Sequence, residues 1–193
     1  MNILLIDNSN TRTKFAISDD HGEFSPIFWM PTREIDRAAL TEKLSPLDFE
    51  AALIGSVVPQ TADIIADVLE PQVPVHHLSR TSPLELAIDY PQPEQIGADR
   101  LANAVAAHHR YGTPAIVIDL GTAVTFDVIS AAPAYCGGVI APGLGAMNRY
   151  LSDHTALLPE IELSEPTHAI GRSTHEAMLA GAMIGYRGMI REI

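Results

Sequence analysis

Two aspartates stand at the ends of apolar runs and lead into turns of small polar residues. The first run is Ile3-Leu4-Leu5-Ile6-Asp7, followed by Asn8-Ser9-Asn10-Thr11-Arg12-Thr13-Lys14. The second is Ile116-Val117-Ile118-Asp119, followed by Leu120-Gly121-Thr122. A carboxylate at the tip of a buried strand can hold a cation, directly or through water, while Asn10, Thr11 and the exposed amides behind it meet phosphate oxygens. Each turn alone reads equally as an ordinary strand connection whose Asn, Ser or Gly satisfies its own backbone. The duplication favours the chemical reading. Laying Asp7 on Asp119 (119 − 7 = 112) brings Thr13 onto Thr125 and Ile17 onto Ile129. Two copies point to two related half-domains facing one nucleotide.

A third candidate is Gly97-Ala98-Asp99-Arg100, at the entry of an alanine-rich helix. Asp99 could accept a proton from an attacking hydroxyl, and Arg100 could grip an anion through two parallel hydrogen bonds. Spacing alone favours the plainer role, in which an acidic first turn complements the helix dipole for about 0.3–1 kcal/mol. Gly137-Gly138-Val139-Ile140-Ala141-Pro142-Gly143-Leu144-Gly145 is a glycine-dense strand-to-helix junction, either a backbone approach to a ligand or a crowded packing site. No Gly-Lys-Ser/Thr of a Walker A loop occurs, and no GxGxxG follows a strand. The histidine pairs His76-His77 and His108-His109 have no metal-ligand spacing.

These residues need elements to hold them. The 3–6 and 12–17 runs form a hairpin, with 24–30 as a third strand. A helix runs from Thr32, as N-cap, to about Leu44; a buried strand spans 51–58, a helix 61–69 and a short edge strand 73–78. Residues 79–96, with Pro83, Pro91 and Pro93, read as a loop. A helix follows to Tyr111, then the second hairpin, a strand over 135–141, a helix to about Ser152, and a last helix from Ser173 or Thr174 to the end. Ser173 and Glu176 stand at capping-box spacing. Strands alternating with helices around a repeat indicate α/β architecture, with halves at 1–112 and 113–193.

The 193 residues are 47% apolar and 19% charged, which fits a folded core. Twelve Lys and Arg against 24 Asp and Glu give a formal charge of −12, unfavourable for nucleic acid or an anionic membrane as main partner. Cys136 is the only cysteine, so no internal disulfide forms and a reducing, cytoplasmic setting is expected. The apolar start ends at Asp7 and has no basic flank, and no run approaches the roughly 18 residues of a membrane span.

The aspartate-led turn, Gly-Ala-Asp-Arg at 97–100, Asp-Leu-Gly-Thr-Ala-Val-Thr-Phe-Asp at 119–127, Gly-Gly-Val-Ile-Ala-Pro-Gly-Leu at 137–144 and Ile-Gly-Arg-Ser-Thr at 170–174 resemble, in order, the motifs of type III pantothenate kinases. That resemblance implies the acetate and sugar kinase, Hsc70 and actin superfamily, with duplicated ribonuclease-H-like (actin-like ATPase) halves. It implies ATP-dependent phosphorylation of pantothenate, the first step towards coenzyme A. Asp7, Asn8, Ser9, Asn10, Thr11, Arg12, Thr13, Lys14 and Thr122 would bind ATP. Asp99 would accept the hydroxyl proton, and Tyr90, Gly97, Ala98, Asp99, Arg100 and Thr174 would line the pantothenate site. Asp119 would hold a monovalent cation, K+ or NH4+, with a divalent ion, Mg2+, accompanying ATP, in a homodimer. Two departures stand out. Ser9 replaces the family glycine, costing on the order of 1 kcal/mol if φ there is positive. The chain ends some tens of residues early, so the second half is expected to be shortened at its C-terminus. Both departures also fit a non-catalytic regulatory or accessory relative.

Overall fold

The computed structural model describes residues 1–193, which divide into two compact units: residues 1–115 with 127–137, and residues 116–126 with 138–193.

The first unit is built on β1 (Ile3–Asn8), β2 (Arg12–Ser18), β3 (Phe28–Pro31), β4 (Ala51–Ser56) and β5 (Val75–His77), in the order β3-β2-β1-β4-β5. The β1–β2 pair is antiparallel, with Asp7 opposite Lys14 and Asn8 opposite Thr13. Strand β4 runs parallel to both β1 and β5, and such pairs need crossovers. Helices α1 (Arg37–Leu44) and α2 (Pro59–Leu69) supply them. Leu4 and Ile6 of β1, Phe15 of β2 and Ile54 of β4 form the core with Leu40 and Leu44 of α1 and Ile65 and Leu69 of α2. Each such side chain contributes about 1.5–3 kcal/mol on full burial. Strand alternation then decides the turn: Asn8 and Thr13 continue the core-facing parity of Ile6 and Phe15, while Asp7 and Lys14 face the other way.

The second sheet is ordered β6-β9-β8-β7, from β6 (Ala87–Ile88), β7 (Ala115–Leu120), β8 (Ala123–Ile129) and β9 (Ala134–Pro142). Helix α3 (Ala98–Tyr111) belongs to the first unit, and α4 (Leu144–His154) and α5 (Thr174–Glu192) to the second. Inside the second unit Val124 and Phe126 pack with Tyr186, flanked by Leu144, Met189 and Ile190. The repeat is real at the level of pairing. In both sheets the second strand of the repeated hairpin lies between the first and one further strand, β3 or β9. Where β1 is flanked by β4, β7 is the outer strand, with Ile116, Ile118 and Leu120 exposed.

Local departures from the sequence reading have simple causes. Strand β3 starts at Phe28, and Phe24 makes only an isolated bridge to Ser18, because Pro26 has no N–H to give a ladder. Thr32 does not cap a helix: it opens a 3-10 turn, Thr32–Glu34, and Asp36 caps α1 by accepting from the Ala39 amide at 2.8 Å. Residues 79–96 hold β6 and a 3-10 turn at Pro93–Gln95. No helix is long and apolar enough to cross a membrane.

Candidate functional site

In the first unit, the Asp7 turn presents its residues in two sets. Asp7 accepts from Lys14 Nζ and from Ser9 Oγ, both at 2.8 Å. Asn10, Thr11, Arg12 and Lys14 are exposed, and the Arg12 guanidinium lies 4.4 Å from the centre of the Trp29 ring. Asn8 and Thr13 are 1% and 0% exposed and bond to each other at 2.8 Å, so their side chains face the interior. Ser9 has no positive φ; Glu85 alone among non-glycine residues does. The strain expected of a serine at this position is therefore absent, and its hydroxyl anchors Asp7 instead.

Helix α3 starts beside this turn. Gly97 is its N-cap, and Asp99, in the first turn, takes the Arg100 amide on Oδ1 at 2.8 Å. A side chain on Gly97 would strike that Oδ1 and come within 3.3 Å of Val57 Cγ1. The glycine thus leaves room for the Asp99 carboxylate. Val57 joins the two features, because its own amide donates to the Asn8 carbonyl at 3.0 Å.

Arg100 turns inward. Its Nε donates to Asp127 Oδ1 at 2.6 Å, and the Tyr135 hydroxyl donates to the same oxygen at 2.9 Å. Asp127 and Tyr135 are both 0% exposed, and the Arg100 guanidinium lies 5.7 Å from the centre of the Tyr135 ring. Burial, and then the bond to Asp127, push the Tyr135 phenol well above the ordinary tyrosine value. Tyr90 packs edge-on against Tyr135, ring centres 6.2 Å apart. Gly137, at φ 117°, lies under Tyr90, where a Cβ would come within 3.2 Å of the ring. This part of the glycine-dense segment is a packing site. Asp127 closes the 119–127 motif without a role assigned to it there, and Tyr135 belongs to no motif. The one signal for them is a charged residue between Phe126 and Val128, since a carboxylate inside an apolar strand needs a buried partner.

In the second unit, Asp119 lies near the end of β7, and the Gly121 amide donates to the Ala123 carbonyl at 2.9 Å. The Gly143 amide donates to the Thr122 carbonyl at 3.0 Å, and a Cβ on Gly143 would collide with the carbonyls of Gly121 and Thr122. The start of α4 therefore seats directly on the second aspartate turn. Asp119 and Thr122 stay exposed. No group of three or more His, Cys, Asp or Glu side chains gathers for a metal. Asp119 offers a single carboxylate, oxygen chemistry of the kind that suits an alkali or a largely hydrated hard cation. Thr174 begins α5, on an apolar groove lined by Met147, Tyr150, Leu151 and Met178. Ser173 caps α5 by accepting from the Glu176 amide at 3.2 Å, and Glu176 takes the Arg172 amide at 2.7 Å. The capping-box spacing is thus used, with Glu176 reaching one residue further back.

Known structures place this architecture. A protein from Campylobacter jejuni described as a Baf family transcriptional activator superposes with TM-score 0.61 at 21% identity, over 98% of this chain and 78% of that one. One from Sinorhizobium meliloti described as a 2-dehydro-3-deoxygalactonokinase does so with TM-score 0.57 at 12% identity, over 98% and 82%. The fold is the duplicated sugar-kinase and actin-like ATPase fold. The family model of type III pantothenate kinase matches residues 3–193. The type III pantothenate kinase of Akkermansia muciniphila is 52% identical over 193 residues, which are 100% of this chain and 79% of that protein. The chain belongs to the type III pantothenate kinase family.

Proposed function

We propose that the protein transfers the γ-phosphoryl group of ATP to the primary hydroxyl of pantothenate, giving 4'-phosphopantothenate and ADP for coenzyme A synthesis. Family membership supports the reaction. The observation that carries the assignment of roles is the Asp99 carboxylate, held in the first turn of α3 against Gly97 and next to Val57, which bonds the Asp7 turn.

The hydroxyl oxygen attacks the γ-phosphorus, the bond to the bridging oxygen of ADP breaks, and the hydroxyl proton passes to Asp99. A carboxylate is a weak base, but phosphoryl transfer proceeds through a loose transition state that asks for placement and charge neutralisation more than for basicity. The turn backbone and the exposed side chains of Asn10, Thr11, Arg12 and Lys14 receive phosphate oxygens, as does Thr122, and Lys14 adds the positive charge. Asp7 and Asp119 are the carboxylates for cations: a divalent ion travelling with ATP, and K+ or NH4+ at Asp119. Bound there, such ions would neutralise phosphate charge. Tyr90, Gly97, Ala98 and Thr174 are the residues assigned to pantothenate binding, and Arg100 acts from its anchorage on Asp127. A homodimer in the cytoplasm completes the reading. Of the two departures behind the rival reading, a non-catalytic relative, the ordinary backbone of Ser9 removes the one that bears on the phosphate turn.

The test is an ADP-release assay with and without pantothenate, and with K+ exchanged for Na+. Pantothenate-dependent release is expected. Asp99→Asn should bind both substrates with near-normal affinity and lose about 10²-fold or more in kcat, the scale of a positioned acid–base group. An Asp99→Asn enzyme with full turnover would sink the assignment.

A further inference from the structure

We propose that Thr32 is a positioning residue for the phosphate turn, acting through a one-way chain of hydrogen bonds that ends on the turn's backbone. The proposal rests on reading Asp7–Lys14 as the phosphate turn. Proton counting fixes the direction of the chain. A threonine hydroxyl has one proton, and a carbonyl oxygen only accepts. Thr32 Oγ1 lies 2.6 Å from the Ser9 carbonyl oxygen, so its proton is committed there. At the 3.1 Å contact between Thr13 and Thr32 hydroxyls, Thr13 must therefore donate. With its own proton used, Thr13 accepts from Asn8 Nδ2 at 2.8 Å. That orients the Asn8 amide, whose Oδ1 takes the Ser56 hydroxyl at 2.6 Å. Ser56 in turn accepts from the Val58 amide at 3.0 Å. Every link points the same way, from the Val58 N–H at the start of α2 to the carbonyl of Ser9.

Thr32 holds the other side of the turn as well, because its backbone amide donates to the Thr11 carbonyl at 3.1 Å. One buried residue thus grips the turn at Ser9 and at Thr11. Asn8, Thr13 and Thr32 are all nearly sealed from water, so a broken link leaves a polar atom with nothing to bond. Such chains polarise each member in the same sense. The turn is consequently shaped before phosphate arrives, and its amides need no rearrangement on binding. The hydrogen bonds of Thr32 run to the turn's backbone and to buried Thr13, so its effect passes through the backbone it holds.

The experiment compares Thr32→Val, Thr32→Ser, Asn8→Asp and Ser56→Ala by two readouts: steady-state KM for ATP and for pantothenate, and amide hydrogen exchange of residues 9–12 in the ligand-free protein. Thr32→Val keeps the shape and removes the hydroxyl; it should raise the KM for ATP about tenfold, the scale of one lost buried hydrogen bond, with kcat and the pantothenate KM within about twofold. Exchange at the turn should quicken, and Thr32→Ser should restore both readouts. Asn8→Asp cannot donate to Thr13 and should quicken exchange at residues 9–12 as Thr32→Val does, despite its near-identical shape. Ser56→Ala breaks the chain at a half-buried position that folding tolerates, and should raise the KM for ATP about threefold. Wild-type exchange and ATP KM in Ser56→Ala, or a Thr32→Ser variant as impaired as Thr32→Val, would overturn the proposal. Should the wild-type protein turn over no ATP, the kinase reading fails, while the exchange measurements still decide the chain.

Discussion

Asp127 concentrates the electrostatics of the first unit in one oxygen. It receives the Arg100 guanidinium and the Tyr135 hydroxyl together, with no exposure of its own. A buried carboxylate is tolerable only with such partners, and removing one of them costs far more than the pair contributes. Because Arg100 follows Asp99 directly, this anchor also fixes where the α3 first turn presents its carboxylate. The aspartates at 7, 99 and 119 are legible in the sequence because each stands at the end of an apolar run or the start of a helix, beside small residues. The roles of Asp127 and Thr32 are not, since their partners lie far along the chain: Arg100 is 27 residues from Asp127, and Thr32 is 19 from Thr13. Burial of both Phe126 and Asp127, consecutive in β8, also breaks the alternation by which strands are read. Tyr135 offers a test. Its phenol is raised in the folded state, so it keeps its proton where the unfolded chain, with an ordinary pKa of about 10, has lost its own. The stability it contributes is whole below pH ~10 and falls by ~1.4 kcal/mol per pH unit above it. Urea midpoints measured between about pH 9 and 11.5 should drop more steeply in the wild type than in Tyr135→Phe. Parallel slopes would mean that the phenol does not carry this pH dependence.

At the scale of elements, the strands and helices are largely legible because apolar periodicity and proline punctuation are strong in this chain. The hairpins 3–18 and 115–129, α2 and α3 follow from those signals alone. The entry to α1 does not. Thr32 has the residue type of an N-cap, but its hydroxyl is taken by Ser9 and Thr13, and Asp36 supplies the cap four residues later. Local propensity lost to a tertiary bond that no spacing announces. The start of α5 is the opposite case, where local chemistry and structure agree. Ser173 and Glu176 satisfy amides at its first turn, and Gly171 is wedged so that a Cβ would strike the backbone of Glu176 and Ala177. The two positions should rank differently. Ser173→Ala removes one cap and should cost about 1 kcal/mol, lowering Tm by roughly 2–4 °C. Gly171→Ala drives a methyl into backbone that cannot step aside, and should cost at least about 2 kcal/mol, with a correspondingly larger fall in Tm. Equal shifts in differential scanning calorimetry would mean that the segment 170–173 simply moves away, and that Gly171 does not fix the helix start.

For the whole molecule, the repeat explains the layout and the charge sets the conditions. A single pattern, strand, aspartate, turn and strand, appears in both sheets, each time with its second strand between the first and one further strand, which is why the α/β class is legible from the residues alone. The boundary between the units is less accessible, since β8 and β9 each contribute to both and no composition shift marks a cut inside a strand. Net charge is a separate matter. Twelve Lys and Arg face 24 acidic residues, so pairing them one to one leaves half of the carboxylates over. Surface pairs such as Lys14–Asp7, Arg37–Asp67 and Arg187–Glu165 are worth about 0–1 kcal/mol each. Salt weakens those few attractions, but it also screens the mutual repulsion of the whole negative excess, which acts over distances beyond the Debye length of about 10 Å at 0.1 M. The buried Arg100–Asp127 pair is shielded from solvent and changes little. Repulsion should therefore dominate the response. Raising choline chloride from about 10 mM to 500 mM, with a large organic cation chosen so that no alkali-ion site fills, should lift Tm by roughly 3 °C or more. A Tm that falls instead would show that surface ion pairs outweigh the net charge, and that the acidic excess is spread too widely to strain the fold.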